Sequence, residues 1–197
     1  MTKTRLEAFS DGVIAILITI MVLEFKVPHG SDWHALVPLL PRFLTYVLSY
    51  VFLGIYWANH HHMFHATERI TGGVLWANLH LLFWLSLIPF VTGWMGENHY
   101  EALPTAAYGV VLLFAAVAYT VLQNIIIAAA GPKSKLAQAV RRDFKGKLSV
   151  VLYLSAIPLA FVNQLLSDVI YVIVALIWLV PDRRIEHVLL ESPKATG

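Results

Sequence analysis

Long apolar stretches, separated by short polar segments, dominate this sequence. A membrane-spanning helix needs about 20 mostly apolar residues, and four such stretches lie in the first 130 residues. The remaining apolar stretch is too long for one span, and we divide it near the polar residues 163–168. The carboxylate of Asp168 would be costly inside the membrane, whereas in a turn it is solvated. We therefore predict an all-α membrane protein with a single six-helix domain over residues 1–197. The predicted spans are 9–27, 42–64, 72–95, 106–130, 148–162 and 169–180.

The composition supports a membrane location and limits the available chemistry. Hydrophobic residues make up 58% of the chain and charged residues 13%, whereas soluble domains carry about 25% charged residues. A soluble body of this size could not bury so much apolar surface, so we expect lipid to cover it. The chain contains no cysteine, which excludes disulfides and thiolate chemistry.

Basic residues are concentrated on one side of the predicted layout. By the positive-inside rule this side faces the cytoplasm, so we expect a multi-pass protein of the cell membrane with both termini inside. Only Lys26 and Arg42 fall on the opposite side, which is mildly acidic. The basic loop 131–147 suits lipid headgroups better than nucleic acid. The basic residues on the cytoplasmic side are Lys3, Arg5, Arg69, Lys133, Lys135, Arg141, Arg142, Lys145, Lys147, Arg183, Arg184 and Lys194.

Polar residues inside the first three spans are candidate functional groups, because each must be solvated by protein or water. Ser10 and Asp11 lie near the cytoplasmic entrance of the first helix, where either could simply cap the backbone. By topology the second helix ends, and the third begins, in the same layer. The histidines of the second helix and Asn78 of the third could therefore join Asp11 in an interhelical hydrogen-bond network.

His61 and His65 are four residues apart, as a pair of metal ligands on a helix would be. A third ligand at suitable spacing is lacking, apart from Glu68 in the next loop. The pair is more typical of hydrogen-bonded structure, and we predict no metal site and no enzymatic activity.

One stripe of the first helix combines apolar residues with a single hydroxyl. Its members follow helical spacing, which fits either a packing face or the wall of a pore. In a pore, rings of branched apolar side chains can exclude water, and a ring of hydroxyls can offer oxygens to a cation. The stripe consists of Gly12, Ile16, Thr19, Ile20 and Leu23.

The segment from Arg5 to Asp11 matches the pattern Arg-x-x-x-Phe-Ser-Asp. This pattern, with the segments 57–62 and 76–90, resembles the transmembrane protein 175 family of endolysosomal potassium channels, whose prokaryotic members are single six-helix chains. The resemblance implies a homotetramer whose first helices line a central pore permeable to potassium ions, with no other cofactor. It implies a hydrophobic constriction at Ile16, Ile20 and Leu23.

The resemblance also assigns roles to the polar residues of the first helix. Thr19 would form a hydroxyl layer that contributes to cation preference. The usual Thr-Val-Gly-Tyr-Gly filter is missing, so selectivity for potassium over sodium should be modest. The residues expected in a network that holds the first three helices together are Arg5, Phe9, Ser10, Asp11, His60, His61 and Asn78.

Two other functions compete with a channel. A proton-coupled secondary transporter could use Asp11 and the histidines, although such proteins often show internal repeats and broken helices. We find no repeat, and only Pro89 and Pro158 could break a helix. A membrane-embedded metalloenzyme would need His61, His65 and Glu68 to hold a metal.

Overall fold

The structure is a computed structural model that describes residues 2–67, 69–131, 134, 136–137 and 144–179. Within these residues it is all-α, which confirms the predicted fold class. Three short 3₁₀ turns, Met21–Glu24, Trp33–Ala35 and Val37–Leu39, connect the first two helices. The α-helices are α1 Lys3–Ile20, α2 Leu40–His65, α3 Gly72–Ser86, α4 Ile88–Glu97, α5 Ala102–Ala130, α6 Phe144–Leu159 and α7 Gln164–Leu179.

Four continuous helical segments are long and apolar enough to cross a membrane, and they correspond to the first four predicted spans. They are Lys3–Glu24, Trp33–His65, Gly72–Glu97 and Ala102–Ala130. The apolar helix α7 is shorter, with 16 residues. The last predicted span ends at Val180, and this residue lies outside the described part of the chain.

The third span is divided into two helices, α3 and α4. Pro89 is in the first turn of α4, and its ring nitrogen has no hydrogen to donate to the carbonyl one turn earlier. The chain therefore ends α3 at Ser86 and restarts at Ile88. Pro158, in contrast, lies near the end of α6 without dividing it.

The prediction for the turn before the last helix was wrong. We placed residues 163–168 in this turn, but α7 already begins at Gln164, so that Asp168 lies inside the helix. The side-chain oxygen of Asn163 accepts a hydrogen bond of 3.4 Å from the backbone N–H of Leu166. An asparagine in this position satisfies a free donor of the first turn, which explains the early start of α7.

Helix α5 lies in the middle of the bundle and packs against α3, α4, α6 and α7. Fourteen of its residues are buried, including Tyr108, Leu112 and Leu122. Helix α1 lies at the edge, where it contacts α2, α3 and α4. The side of the bundle on which α1 begins is called the amino-terminal side below, and the other the opposite side.

Close packing of α4 against α2 depends on a glycine. A Cβ atom on Gly96 would lie 2.8 Å from the Cα of Arg42, and the backbone cannot move aside as a flexible side chain can. We therefore expect Gly96→Ala to destabilise the protein by about 2 kcal/mol, as overpacked sites do. The matched control is Gly54→Ala on α2, which meets no atom within 4 Å and should gain up to about 1 kcal/mol from helix propensity. Unfolding in detergent would compare the two variants, and equal stability would contradict this account.

Candidate functional site

Helix α1 has one face inside the bundle and one outside it. Its buried residues are Leu6, Ser10, Ile14 and Leu17, followed by Met21 in the 3₁₀ turn. The stripe from the sequence analysis occupies the other face: Ile16 is 62% exposed, Ile20 43% and Leu23 77%, and Gly12 and Thr19 are exposed too. No other described residue of the chain covers this apolar surface, which lipid or further copies of the protein can cover.

The hydroxyl of Thr19 is oriented by its own helix. It donates to the carbonyl oxygens of Ala15 and Ile16, each at 3.0 Å. Because its proton is shared between these two acceptors, the oxygen offers only lone pairs to other groups. An exposed oxygen of this kind is a suitable partner for a cation or a water molecule.

A buried chain of hydrogen bonds connects α1, α2 and α3. The side-chain N–H of Asn78 donates to Ser10 Oγ at 2.9 Å, and Ser10 Oγ–H donates to the carbonyl of Leu6 at 2.9 Å. On its other side, Asn78 Oδ1 lies 2.7 Å from His60 Nε2. An amide oxygen only accepts, so His60 carries a proton on Nε2. Ser10 and Asn78 are fully buried and His60 is 1% exposed.

Two further bonds attach α1 to α2, one at the first residue of α1 and one just beyond Ser10. Trp57 Nε1–H donates to Asp11 Oδ1 at 3.1 Å, and Lys3 Nζ donates to the carbonyl of His65 at 3.0 Å. Asp11 therefore bonds to the neighbouring helix α2. It does not cap α1, which is the role that the sequence analysis considered for it. Helix α1 begins instead at Lys3, with Thr2 at the cap position.

The other predicted network residues lie outside this chain of hydrogen bonds. Phe9 is 47% exposed and Arg5 is exposed on the first turn of α1. His61 is exposed and stacks with Trp57 and His65, at centroid distances of 6.4 and 6.3 Å. In the described part of the chain no three histidine, aspartate or glutamate side chains form a group that could hold a metal. Glu68 lies outside the described residues.

Sequence reasoning missed two features of these helices. Trp57 was noted only as part of a segment, although an indole N–H at the level of Asp11 could have indicated a donor for this carboxylate. A second buried cluster lies toward the opposite side, where Ser49 Oγ is 2.6 Å from Thr92 Oγ1 and 2.9 Å from Tyr108 Oη. Single hydroxyls in apolar helices give no periodic signal, so the cluster is invisible in the sequence.

Comparison with known proteins identifies the family. Residues 5–89 match the family model described as the endosomal/lysosomal potassium channel TMEM175. A potassium channel of Chryseobacterium sp. (strain P1-3) is 53% identical over 192 residues, which cover 98% of this chain and 100% of the relative. The chain belongs to the TMEM175 family. A second TMEM175-like relative, a potassium channel of Streptomyces collinus, is 36% identical over 126 residues, 60% of this chain and 61% of its own.

The fold of this TMEM175 chain matches a solved structure. The crystal structure of a lysosomal potassium-selective TMEM175 homologue from Chamaesiphon minutus superposes with a TM-score of 0.80 at 27% identity, covering 91% of this chain and 97% of the other. The region matched by the TMEM175 family model, residues 5–89, contains α1, α2 and α3. The whole Ser10–Asn78–His60 chain and the exposed stripe therefore lie in the part that identifies the family.

Proposed function

We propose that this protein is a potassium-permeable cation channel, a homotetramer in which four copies of α1 surround a central pore. The observation that carries the proposal is the exposed stripe of α1 in a chain of the TMEM175 family. Cyclic symmetry brings one stripe per subunit to a shared axis, which covers the apolar surface without a second protein. The relatives from Chryseobacterium and Streptomyces are both named potassium channels.

The gate of this channel is hydrophobic. Ile16, Ile20 and Leu23 form successive rings, and the distance from Ile16 to Leu23 along the axis is about 10 Å. Rings of branched apolar side chains close a pore by excluding water. In this interpretation Ile16, which is 62% exposed, forms the ring nearest the amino-terminal side.

Thr19 lies between these rings and provides a hydroxyl layer. Its oxygen presents lone pairs to the axis because its proton is donated within α1. A single layer of hydroxyls replaces only part of the hydration shell of an ion, so potassium is preferred over sodium only modestly. The Ser10–Asn78–His60 chain has a different role, which is to hold α1 against α2 and α3 while the pore changes width.

The protein lies in the cell membrane with both termini in the cytoplasm. Among the described residues, the amino-terminal side carries Lys3, Arg5, Arg69, Lys145 and Lys147, whereas the opposite side carries only Lys26 and Arg42 as basic residues. This asymmetry follows the positive-inside rule. The exposed apolar residues outside α1 contact lipid or neighbouring subunits, and potassium ions are the only ligands that the function requires.

Potassium flux from reconstituted liposomes tests the proposal. We expect the protein to release potassium down its gradient at a rate that does not saturate over the physiological range. Uptake of a substrate against its gradient, coupled to protons, would favour the transporter instead and would contradict the channel. The same preparation allows metal analysis, and stoichiometric metal would support the enzyme hypothesis.

The preference for potassium over sodium should depend on Thr19. Removing the hydroxyl in Thr19→Val replaces a ligand oxygen by a methyl group, so we expect the potassium-to-sodium permeability ratio, measured from reversal potentials, to approach one. The matched control is Thr120→Val on α5, because Thr120 also donates to the carbonyl four residues earlier, at 2.9 Å. A ratio unchanged in Thr19→Val, or lowered equally in both variants, would exclude this role for Thr19.

A further inference from the structure

Two buried side-chain oxygens near the starts of α5 and α7 stand apart from the rest of the described structure. Thr105 Oγ1 and Asp168 Oδ1 are both shielded from solvent and form no hydrogen bond within the described part of the chain. Thr105 is fully buried. Buried polar groups are almost always hydrogen-bonded or bound to an ion, so two such atoms on adjacent helices require an explanation.

The helices place these two oxygens in the same region. The hydroxyl of Tyr171 on α7 donates to the backbone carbonyl of Thr105 on α5, at 3.0 Å. Asp168 precedes Tyr171 by three residues and therefore lies on the same face, one turn nearer the helix start. Both α5 and α7 begin on the opposite side of the bundle, and helical side chains lean toward the start of their helix. Asp168 and the side chain of Thr105 thus extend in the same direction from this hydrogen bond.

Tyr100, in the loop before α5, borders the same region. Burial raises the pKa of Tyr100 above its ordinary value, a hydrogen bond with the side chain of Thr45 opposes this rise, and the negative charge of Asp168 adds a smaller rise. Its hydroxyl proton is donated to the carbonyl of Pro41 at 2.7 Å. Tyr171 has likewise donated its proton to Thr105. Both phenol protons are therefore donated to backbone carbonyls, and neither phenol donates a hydrogen bond to the carboxylate.

Positive charge from the protein is also lacking. Among the described residues, the lysine and arginine on this side of the bundle are Lys26 and Arg42, and both contact Glu97, with nitrogen–oxygen distances of 4.0 and 2.8 Å. In the described part of the chain Asp168 forms no ion pair. A carboxylate that is partly withdrawn from water needs a compensating charge, because its transfer to an apolar environment is costly.

We infer that Asp168 and Thr105 bind a monovalent cation in each subunit, taken from the solution on the opposite side and held between α5 and α7. The available ligands are one carboxylate, a hydroxyl and further oxygens with free lone pairs, which together balance a single positive charge. Divalent cations such as calcium usually gather several carboxylates. The site lies outside α1 and does not depend on the proposed pore.

Thallium, which replaces potassium and scatters X-rays anomalously, provides the direct test. In crystals of the full-length protein grown with thallium, we expect an anomalous peak between Asp168 and Thr105, separate from any peak on the symmetry axis. Density there without anomalous signal would mean an ordered water only and would overturn the inference, as would the lack of any density. Peaks on the axis report on the proposed pore independently.

Thermal unfolding of the full-length protein in detergent gives a second test. Stability in potassium chloride is compared with stability in N-methyl-D-glucamine chloride, a cation too large for the site. We expect Asp168→Asn and Thr105→Val to lose most of the potassium-dependent rise in Tm. The control Asp32→Asn, which changes an exposed carboxylate, should retain the whole rise.

A purely structural role for Asp168 gives a different result in these measurements. Without a small cation, Asp168→Asn should be at least as stable as the wild type, because it removes an uncompensated buried charge. If Asp168→Asn is instead destabilised equally in both salts, with the potassium-dependent rise intact, the carboxylate is a structural element and the cation site does not exist.

Discussion

Replacing Ile16 by asparagine is expected to increase the potassium current through the reconstituted protein about tenfold, which corresponds to a barrier lowered by about 1.4 kcal/mol. The reason is hydration of the constriction. Ile16 belongs to the exposed face of α1 and is 62% exposed in the single chain, so its substitution changes the pore wall and not the subunit core. Four amides in place of four branched alkyl groups keep water in the ring, and a wet ring conducts. Single-channel recording in planar bilayers measures the effect.

The control for this experiment is Ile16→Leu, which keeps the ring apolar and of similar volume. We expect its current to stay within about twofold of the wild type, since a barrier change of less than about 0.4 kcal/mol changes the rate by less than twofold. An unchanged current in Ile16→Asn would remove Ile16 from the gate. Equal increases in both variants would indicate that the shape of the side chain, and not hydration, limits conduction.

The second large effect is expected for Asn78→Leu, which destabilises the protein by about 2 kcal/mol. Asn78 is fully buried and bridges Ser10 Oγ and His60 Nε2. Leucine has a similar volume but no polar atom, so it leaves the buried N–H of His60 without an acceptor. An unsatisfied buried donor costs about 1–3 kcal/mol. Thermal or chemical unfolding in detergent measures the loss.

A matched control and a double variant separate the lost hydrogen bonds from altered packing. Asn98→Leu removes an exposed amide that bonds within its own turn, to the carbonyl of Trp94 at 2.8 Å, and should change stability by less than about 0.5 kcal/mol.

Replacing both partners, in His60→Phe with Asn78→Leu, should recover part of the loss. His60 already stacks on Phe64 at a centroid distance of 4.4 Å, and replacing both partners of a hydrogen bond by apolar groups is nearly neutral. Strictly additive losses would contradict the proposed bond.

The all-α type and the four long apolar segments could be predicted from the sequence, because a lipid bilayer requires long apolar stretches and a soluble domain of this size could not bury them. The boundaries were less accurate where a single side chain decides them. Asn163 caps α7, which moves Asp168 from the expected turn into the helix. Pro89 divides the third span into two helices. In both cases the hydrophobic pattern is the same with or without the capping or breaking residue.

The candidate site could be predicted only in part. Topology placed the histidines and Asn78 in one layer with Asp11, and the family resemblance added Ser10. The structure adds which atoms of Ser10, His60 and Asn78 meet. His61 was included with the other histidines of this layer, but residues adjacent in a helix point in different directions, and His61 lies on an exposed face. The orphaned oxygens of Thr105 and Asp168 depend on how α5 packs against α7, where Tyr171 bonds Thr105 across 66 positions of sequence, and no local pattern encodes that packing.

The exposed stripe of α1 has the same composition as a surface that faces lipid. A surface of isoleucine and leucine looks the same whether it contacts lipid or lines a hydrophobic gate, because both environments are apolar when the gate is closed. Gly12 and Thr19 add little polar signal to it. The assignment of α1 to the pore therefore depends on family membership together with exposure, and it needs a test in the assembled membrane protein.

Substituted-cysteine accessibility provides this test most directly, since the chain contains no cysteine of its own. Single cysteines are placed at Ile16, Thr19 and Leu23 on the stripe, and at the exposed positions Leu44 of α2 and Phe83 of α3. Potassium current is then recorded while a charged, water-soluble thiol reagent is added. The account predicts block at the three α1 positions and none at Leu44 or Phe83. Current that persists at all three α1 positions while the reagent blocks through α2 or α3 would contradict a pore lined by α1.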